Sequence, residues 1–164
     1  MKSYLLRVRS FSPDVKLILL YCLLAGIGYG VIELIFNFYL LELGYKEDFI
    51  GQWRAISTLA VAGSSFFLGN AINRFGTWLT MVAGFILLSV SCIGMSLATT
   101  TWQLLPLAIG YGASLSYLTN PVLPFIMDHE RGDQRQHASA VSLSVFSLSV
   151  MIGSLLGGVT PDFF

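Results

Sequence analysis

Glu33 is the residue whose type and position most clearly point to chemistry, because it is a carboxylic acid inside the apolar run GIGYGVIELIFNFYLLELG of residues 26–44. In a membrane-spanning segment such a group costs about 2.5–3.5 kcal/mol on insertion scales, so it normally faces a cavity or a partner. Desolvation favours the neutral form of a carboxyl group and allows proton exchange near neutral pH. We predict that Glu33 binds a proton or a cationic substrate group; the alternative is a protonated or hydrogen-bonded packing residue.

Small and polar residues surround Glu33 at steps of three and four, which places them on one face of a helix. Tyr29 and Asn37 lie one turn before and after the carboxylate, and Gly26 and Gly30 share the face. Glu33 lies about 6 Å beyond the midpoint of the uncharged run at ~1.5 Å per residue. Transporter sites usually lie near this depth. Tyr29, Glu33 and Asn37 are therefore candidate substrate- or proton-binding residues.

A second set of candidates lies in the run GYGASLSYLTNPVLPF of residues 110–125. Tyr117 and Asn120 are predicted near the end of a helix, where Pro121 and Pro124 each remove a backbone donor and free a carbonyl group. By themselves, these residues are typical of a helix that small residues pack with one kink.

The composition of the chain is that of a membrane protein. Hydrophobic residues make up 55% of its 164 residues, charged residues make up 11%, and the mean hydropathy is +0.74. A soluble domain carries about 25% charged residues, so this chain has too few to coat a water-facing surface. With a net charge of zero and no long basic run, the predicted partner is the lipid bilayer and not nucleic acid.

The charged residues divide the sequence into lengths that suit membrane-spanning helices, each of which needs about 20 apolar residues. The runs are long and do not alternate, which argues against strands. No catalytic motif or metal-ligand spacing is present, so we predict neither an enzyme nor a metal site. The predicted fold class is all-α, a polytopic transmembrane bundle of five helices at residues 17–41, 51–72, 78–98, 102–127 and 138–160.

The positive charges are concentrated in alternate loops, which predicts the orientation of the chain. Seven of the nine Lys and Arg residues lie in the N-terminal tail, the second loop or the fourth loop, while Lys46 and Arg54 lie on the other side. We predict that residues 1–16 form a cytoplasmic tail. The expected localisation is multi-pass, in the cell (inner or plasma) membrane.

The second loop, GNAINRFGTWL of residues 69–79, resembles the G-x-x-x-D-R-x-G-R-R motif that the major facilitator superfamily carries between its second and third helices. Gly69, Arg74 and Gly76 match, while Asn73 replaces an aspartate and the last two basic residues are absent. The resemblance implies a conformational loop whose charge contacts bias one access state, weakened here by Asn73. The alternative is that Arg74 only orients the chain.

Two later segments are also similar to the family. The fourth loop contains the pair Glu130 and Arg131, which resembles an E-R pair of the family, and IGSLLGG of residues 152–158 resembles its G-P-x-x-G-G. A Gly-x-x-x-Gly pattern permits close helix approach. The candidates for helix packing and gating are Gly153, Gly157 and Gly158.

The resemblance implies a secondary active transporter of a small-molecule substrate that works by alternating access. Helices one and four line the central cavity in the family, so the resemblance also implies that Tyr117 and Asn120 are candidate lining residues. The alternative for these two is helix packing. The resemblance implies no cofactor, and it is compatible with proton or ion coupling. It further implies that residues 1–164 are a truncated N-terminal portion, with helices one to five of the first half present and the C-terminal half missing. The alternative is a truncated, non-transporting membrane remnant or scaffold subunit.

Overall fold

Six α-helices form the part of the chain that the computed structural model describes, residues 11–159 without the side chain of Asp133. No strand occurs in this part, in agreement with the predicted all-α class. Residues 1–10 of the predicted tail and residues 160–164 lie outside the described residues. The helices are α1 (Pro13–Glu42), α2 (Glu47–Phe75), α3 (Thr77–Leu97), α4 (Thr101–Thr119), α5 (Val122–His129) and α6 (Asp133–Val159).

Four of the described helices are long and apolar enough to cross a membrane, namely α1, α2, α3 and the Gln134–Val159 part of α6. Each begins one to five residues before its predicted first residue, because the helix includes residues that flank the predicted apolar segment. In α2, Glu47 and Asp48 occupy the first turn and Arg74 the last. These charges complement the helix dipole and stabilise both ends.

The prediction of one helix over residues 102–127 is corrected by the structure. Helix α4 ends at Thr119 and α5, with eight residues, begins at Val122. Pro121 has no N–H to continue the hydrogen-bond ladder, and its ring crowds the preceding turn. Asn120 closes α4 by donating its backbone N–H to the Ser116 carbonyl over 3.2 Å. Neither α4 nor α5 is among the four candidate spans of the described chain.

The chain divides into two compact units. One comprises the residues up to Tyr39 and from Leu123 onward, and we call it the α1–α6 unit because it contains most of α1 together with α6. The other comprises Leu40–Val122, and we call it the α2–α4 unit because it contains α2, α3 and α4. The candidate residues are therefore divided between two separately packed groups of helices.

In the α1–α6 unit, one face of α1 is buried and the other carries exposed apolar side chains. Val15, Ile18 and Cys22 are buried at steps of three and four, as expected for one face of a helix. The exposed apolar side chains of the same helix suit contact with lipid. They include Leu17, Leu20 and Leu24.

In the α2–α4 unit, α4 is the central helix. It packs extensively against both α2 and α3, which have few contacts with each other. Gly112 of α4 lies against the Ser57 carbonyl of α2, where a β-carbon would not fit. The rings of Trp53 and Tyr111 lie 5.4 Å apart and are both buried. Close backbone approach and aromatic packing thus hold α4 to α2.

Candidate functional site

The candidates on α1 lie on successive turns of one continuous helix, and all three are half-buried. Tyr29, Glu33 and Asn37 are four residues apart, which separates neighbours by about 6 Å along the axis. The Tyr29 ring lies 6.3 Å from the ring of Phe146 in α6, at an interplanar angle of 32°. The aromatic contact positions one side of this group against α6.

The two glycines of the predicted stripe serve a different purpose from the polar residues. A β-carbon on Gly26 would lie 2.8 Å from the Phe146 carbonyl oxygen, and one on Gly30 would overlap the Val150 carbonyl of α6. Both glycines therefore face the backbone of α6. The stripe thus combines a glycine contact with α6 and the polar side chains of Tyr29, Glu33 and Asn37, of which Tyr29 also packs against α6.

The candidate glycines of α6 lie on the matching side of this contact. A β-carbon on Gly153 would overlap the Ile27 carbonyl, and one on Gly157 would lie 3.3 Å from the carbonyl oxygen of Val31. Gly158 is exposed and approaches the Leu34 side chain. Gly153 is the tightest of the three contacts.

In the α2–α4 unit, Asn120 belongs to a polar cluster with Ser65 and Ser116. Its Nδ2 donates to the Ser65 Oγ over 2.8 Å and to the Ser116 Oγ over 3.1 Å. The two hydroxyl oxygens are 3.1 Å apart. Because the Ser65 hydroxyl also donates to the Val61 carbonyl over 2.8 Å, Ser116 is the donor between the two serines.

This cluster fixes the orientation of the Asn120 amide. Both serine oxygens act as acceptors, so Nδ2 faces them, and Oδ1 has no hydrogen-bond donor among the residues that the structure describes. Sequence reasoning identified Asn120 and missed both serines. The position of Ser116 one turn before Asn120 was a usable signal, whereas Ser65 on another helix was not identifiable from spacing.

Tyr117 and Asn120 turn toward different neighbours. Tyr117 is half-buried, and a β-carbon on Gly84 of α3 would lie 2.9 Å from its Cβ. Asn120 bonds to Ser65 of α2. The structure therefore does not bring these two candidates into one cluster.

Of the four residues of the predicted loop motif, only Gly76 lies in the turn between α2 and α3, while Gly69, Asn73 and Arg74 belong to α2. Gly76 joins the two helices with φ 82° and donates its N–H to the Ile72 carbonyl over 2.8 Å. Asn73 and Arg74 are exposed, and the Arg74 guanidinium lies 5.3 Å from the centre of the Phe75 ring. A left-handed φ is costly for residues other than glycine. Gly76 thus has a conformational role in this turn.

Gly69 differs from Gly76, because it lies within α2 and is exposed. No described atom lies within 4 Å of a β-carbon placed on it.

Across the described chain, residues 11–159, no three His, Cys, Asp or Glu side chains are grouped as a metal site requires.

A family model, the Major Facilitator Superfamily, matches residues 18–164. The chain belongs to the Major Facilitator Superfamily. It is a multi-pass membrane protein of a transporter family, as the long apolar helices also indicate. No curated protein and no solved structure matches it.

The match to the Major Facilitator Superfamily includes every candidate residue predicted from the sequence. It also includes the α2–α3 turn, where the family resemblance was first noted. Of the two motif glycines that this chain retains, Gly69 and Gly76, Gly76 is the one with the left-handed backbone. The structure thus gives a physical reason for that part of the motif.

Proposed function

We propose that the chain contributes to a secondary active transporter that moves a small solute across the cell membrane by alternating access. The observation that carries this proposal is the match of the superfamily model to residues 18–164. In this proposal, the transporter consists of this chain together with the further helices that complete the superfamily fold. The solute is a cation, or it moves together with a proton.

Glu33 supports the choice of a proton or a cation. It is half-buried within an apolar helix that is long enough to span the membrane. Tyr29 and Asn37 lie one turn away on either side and supply a hydroxyl and an amide. A carboxylate between two hydrogen-bonding side chains suits a proton or an ammonium group.

Within the α2–α4 unit, Asn120 is a separate candidate for a polar contact with a solute. The serine cluster holds its amide so that Oδ1 remains available as an acceptor. A hydroxyl or amine of the solute would donate to this oxygen. The cluster lies beside the break between α4 and α5.

We further propose a cytoplasmic N-terminus. In the α1–α6 unit, the start of α1 meets the fourth loop through Ser12 and Glu130. In the α2–α4 unit, the first loop meets the third, because the Tyr45 hydroxyl donates to the Thr99 carbonyl over 3.1 Å. In each pairing, an even number of membrane crossings separates the two segments, so the two members of a pair lie on the same side of the membrane. Lys and Arg are in excess in the N-terminal tail and in the second and fourth loops. This excess supports a cytoplasmic location for the tail and these two loops.

The test is transport by the purified transporter, which contains this chain together with those further helices, in liposomes that contain the pH-sensitive dye pyranine. A panel of sugars, amino acids and organic cations is added outside, and the internal pH is recorded. We expect at least one solute to move protons, and Glu33→Gln to reduce that flux about a hundredfold or more, the size typical of a lost proton-transfer group. Glu42→Gln is the matched control, since Glu42 is an exposed acid at the end of the same helix.

Two results would contradict the proposal in different ways. If Glu33→Gln transports at the normal rate with the normal pH dependence, Glu33 has no part in the mechanism. If the unaltered protein moves neither protons nor radiolabelled forms of the same solutes, the transporter proposal itself fails.

A further inference from the structure

The first turn of α1 is capped by its own serine, but its cap is incomplete. Ser12 precedes Pro13, and its Oγ accepts the N–H of Val15 over 3.3 Å. Its carbonyl oxygen accepts the N–H of Lys16 over 3.1 Å. In a capping box, the residue at the position of Val15 is Glu or Gln, and its side chain accepts the N–H of the cap residue. Val15 is apolar and fully buried, so it cannot supply that acceptor.

Glu130 supplies the missing acceptor. Its Oε1 accepts the N–H of Ser12 over 2.8 Å, from a position 118 residues later in the chain. Glu130 is only 5% exposed, whereas Asp128 at the end of α5 and Arg131 in the turn are exposed. A carboxylate at the start of a helix also faces the positive end of its dipole. The burial of Glu130 is therefore explained by its role at α1.

The backbone that carries this carboxylate is itself held in place. Glu130 donates its N–H to the Ile126 carbonyl over 3.0 Å, and the Nε of Arg135 donates to the Glu130 carbonyl over 3.3 Å. Arg135 donates a second hydrogen bond to the Met127 carbonyl. Arg135 of α6 thus satisfies carbonyl groups at the end of α5, and these hydrogen bonds hold the backbone of Glu130 in place.

We propose that Glu130 is a positioning residue that completes the capping box of α1 from the fourth loop and joins the start of α1 to the turn between α5 and α6. Any sliding or rotation of α1 at this end breaks a partly buried, charge-assisted hydrogen bond. Because Glu33 lies on the same helix, about 30 Å further at ~1.5 Å per residue, the cap helps to set the depth of that side chain. Only this last consequence rests on the proposed transport function.

The test is hydrogen–deuterium exchange of the full chain in lipid nanodiscs, followed by mass spectrometry of a peptide over residues 11–20. In Glu130→Ala we expect exchange in this peptide to accelerate about tenfold or more, as for loss of a hydrogen bond to a charged group. Glu130→Gln keeps an acceptor oxygen and should restore much of the protection. Asp128→Ala removes an exposed carboxylate two residues away, at the end of α5, and should leave exchange in the peptide unchanged.

Unchanged exchange at residues 11–20 in a folded Glu130→Ala protein would overturn the proposal. An equal acceleration in Asp128→Ala would also overturn it, because a general charge effect would then explain the result.

If Glu130→Ala does not fold, Ser12 provides a second test. Ser12→Ala keeps the backbone N–H, and Ser12→Pro removes it. We expect Glu130→Gln to lower the unfolding temperature in the Ser12→Ala background and to have no effect in the Ser12→Pro background. An equal effect in both backgrounds would overturn the proposal. The unaltered protein could show normal protection from exchange at residues 11–20 and yet no transport. That result would support the cap and contradict the proposed transporter function.

Discussion

Gly30 of α1 lies against the backbone of Val150 of α6, in a space that a β-carbon would have to share with the Val150 carbonyl oxygen. The relationship is reciprocal, because Gly153 of α6 lies in the same way against the carbonyl of Ile27. Each helix presents a glycine to the backbone of the other. Close approach of this kind strengthens van der Waals packing between membrane helices.

We expect Gly30→Ala to destabilise the protein by at least about 1–3 kcal/mol, the usual cost of overpacking. The added methyl group meets backbone atoms, which cannot move aside as a flexible side chain can. The measurement is the free energy of unfolding in mixed micelles. Gly28→Ala is the matched control, because no described atom lies within 4 Å of a β-carbon there. Similar losses in the two variants would contradict the close contact.

Gly76→Ala tests the turn between α2 and α3. The left-handed φ of 82° should cost the alanine variant about 1–2 kcal/mol. Gly69→Ala provides the comparison within the same motif, and we expect no loss, since Gly69 is helical and exposed. Thermal unfolding of both variants distinguishes a conformational glycine from one that is only a motif residue. A loss at Gly69 equal to that at Gly76 would refute this distinction.

The hydrogen bond between Asn120 and Ser65 should appear as coupling in a double-mutant cycle. We expect Asn120→Ala and Ser65→Ala to be non-additive by about 0.6 kcal/mol, and by up to about 1.7 kcal/mol, the range for polar contacts between membrane helices. Thr119 is the control, because its hydroxyl donates to the Leu115 carbonyl of its own helix. Thr119→Ala and Ser65→Ala should be additive. Additivity in the Asn120 cycle would exclude the proposed contact.

Cysteine labelling checks the proposed orientation. In a background with Cys22→Ala and Cys92→Ala, we expect Asp48→Cys to react with a membrane-impermeant maleimide added to intact cells. Asp128→Cys should react only after the cells are opened. Both aspartates are exposed, and neither substitution removes a positive charge. The reverse labelling pattern would contradict the proposed orientation and indicate an N-terminus outside the cell.

The all-α class, the long apolar helices and the family could be predicted from the sequence, because these properties depend on local composition. A run of about 20 apolar residues must be helical in lipid whatever surrounds it, since its backbone groups have no other partners. The turn motif with Arg74 and Gly76 is likewise contiguous in the chain. The same local logic located the start of α1 to within a few residues.

The break between α4 and α5 was only partly predictable. Pro121 and Pro124 indicated lost hydrogen bonds, but a proline kinks some helices and ends others. The outcome depends on whether a neighbour satisfies the freed groups. Here α4 ends at Thr119, and Asn120 is held by serines of α2 and α4.

Helical spacing by itself placed Gly26, Tyr29, Gly30, Glu33 and Asn37 on one stripe of α1, and it identified Glu33 as unusual. Only the tertiary structure divided that stripe, because the backbone of α6 occupies the space beside Gly26 and Gly30. The contact between Ser12 and Glu130 was equally hidden, since it joins residues 118 positions apart. Periodicity reports which residues share a face of a helix, whereas the neighbour that covers the face is decided by packing between distant segments.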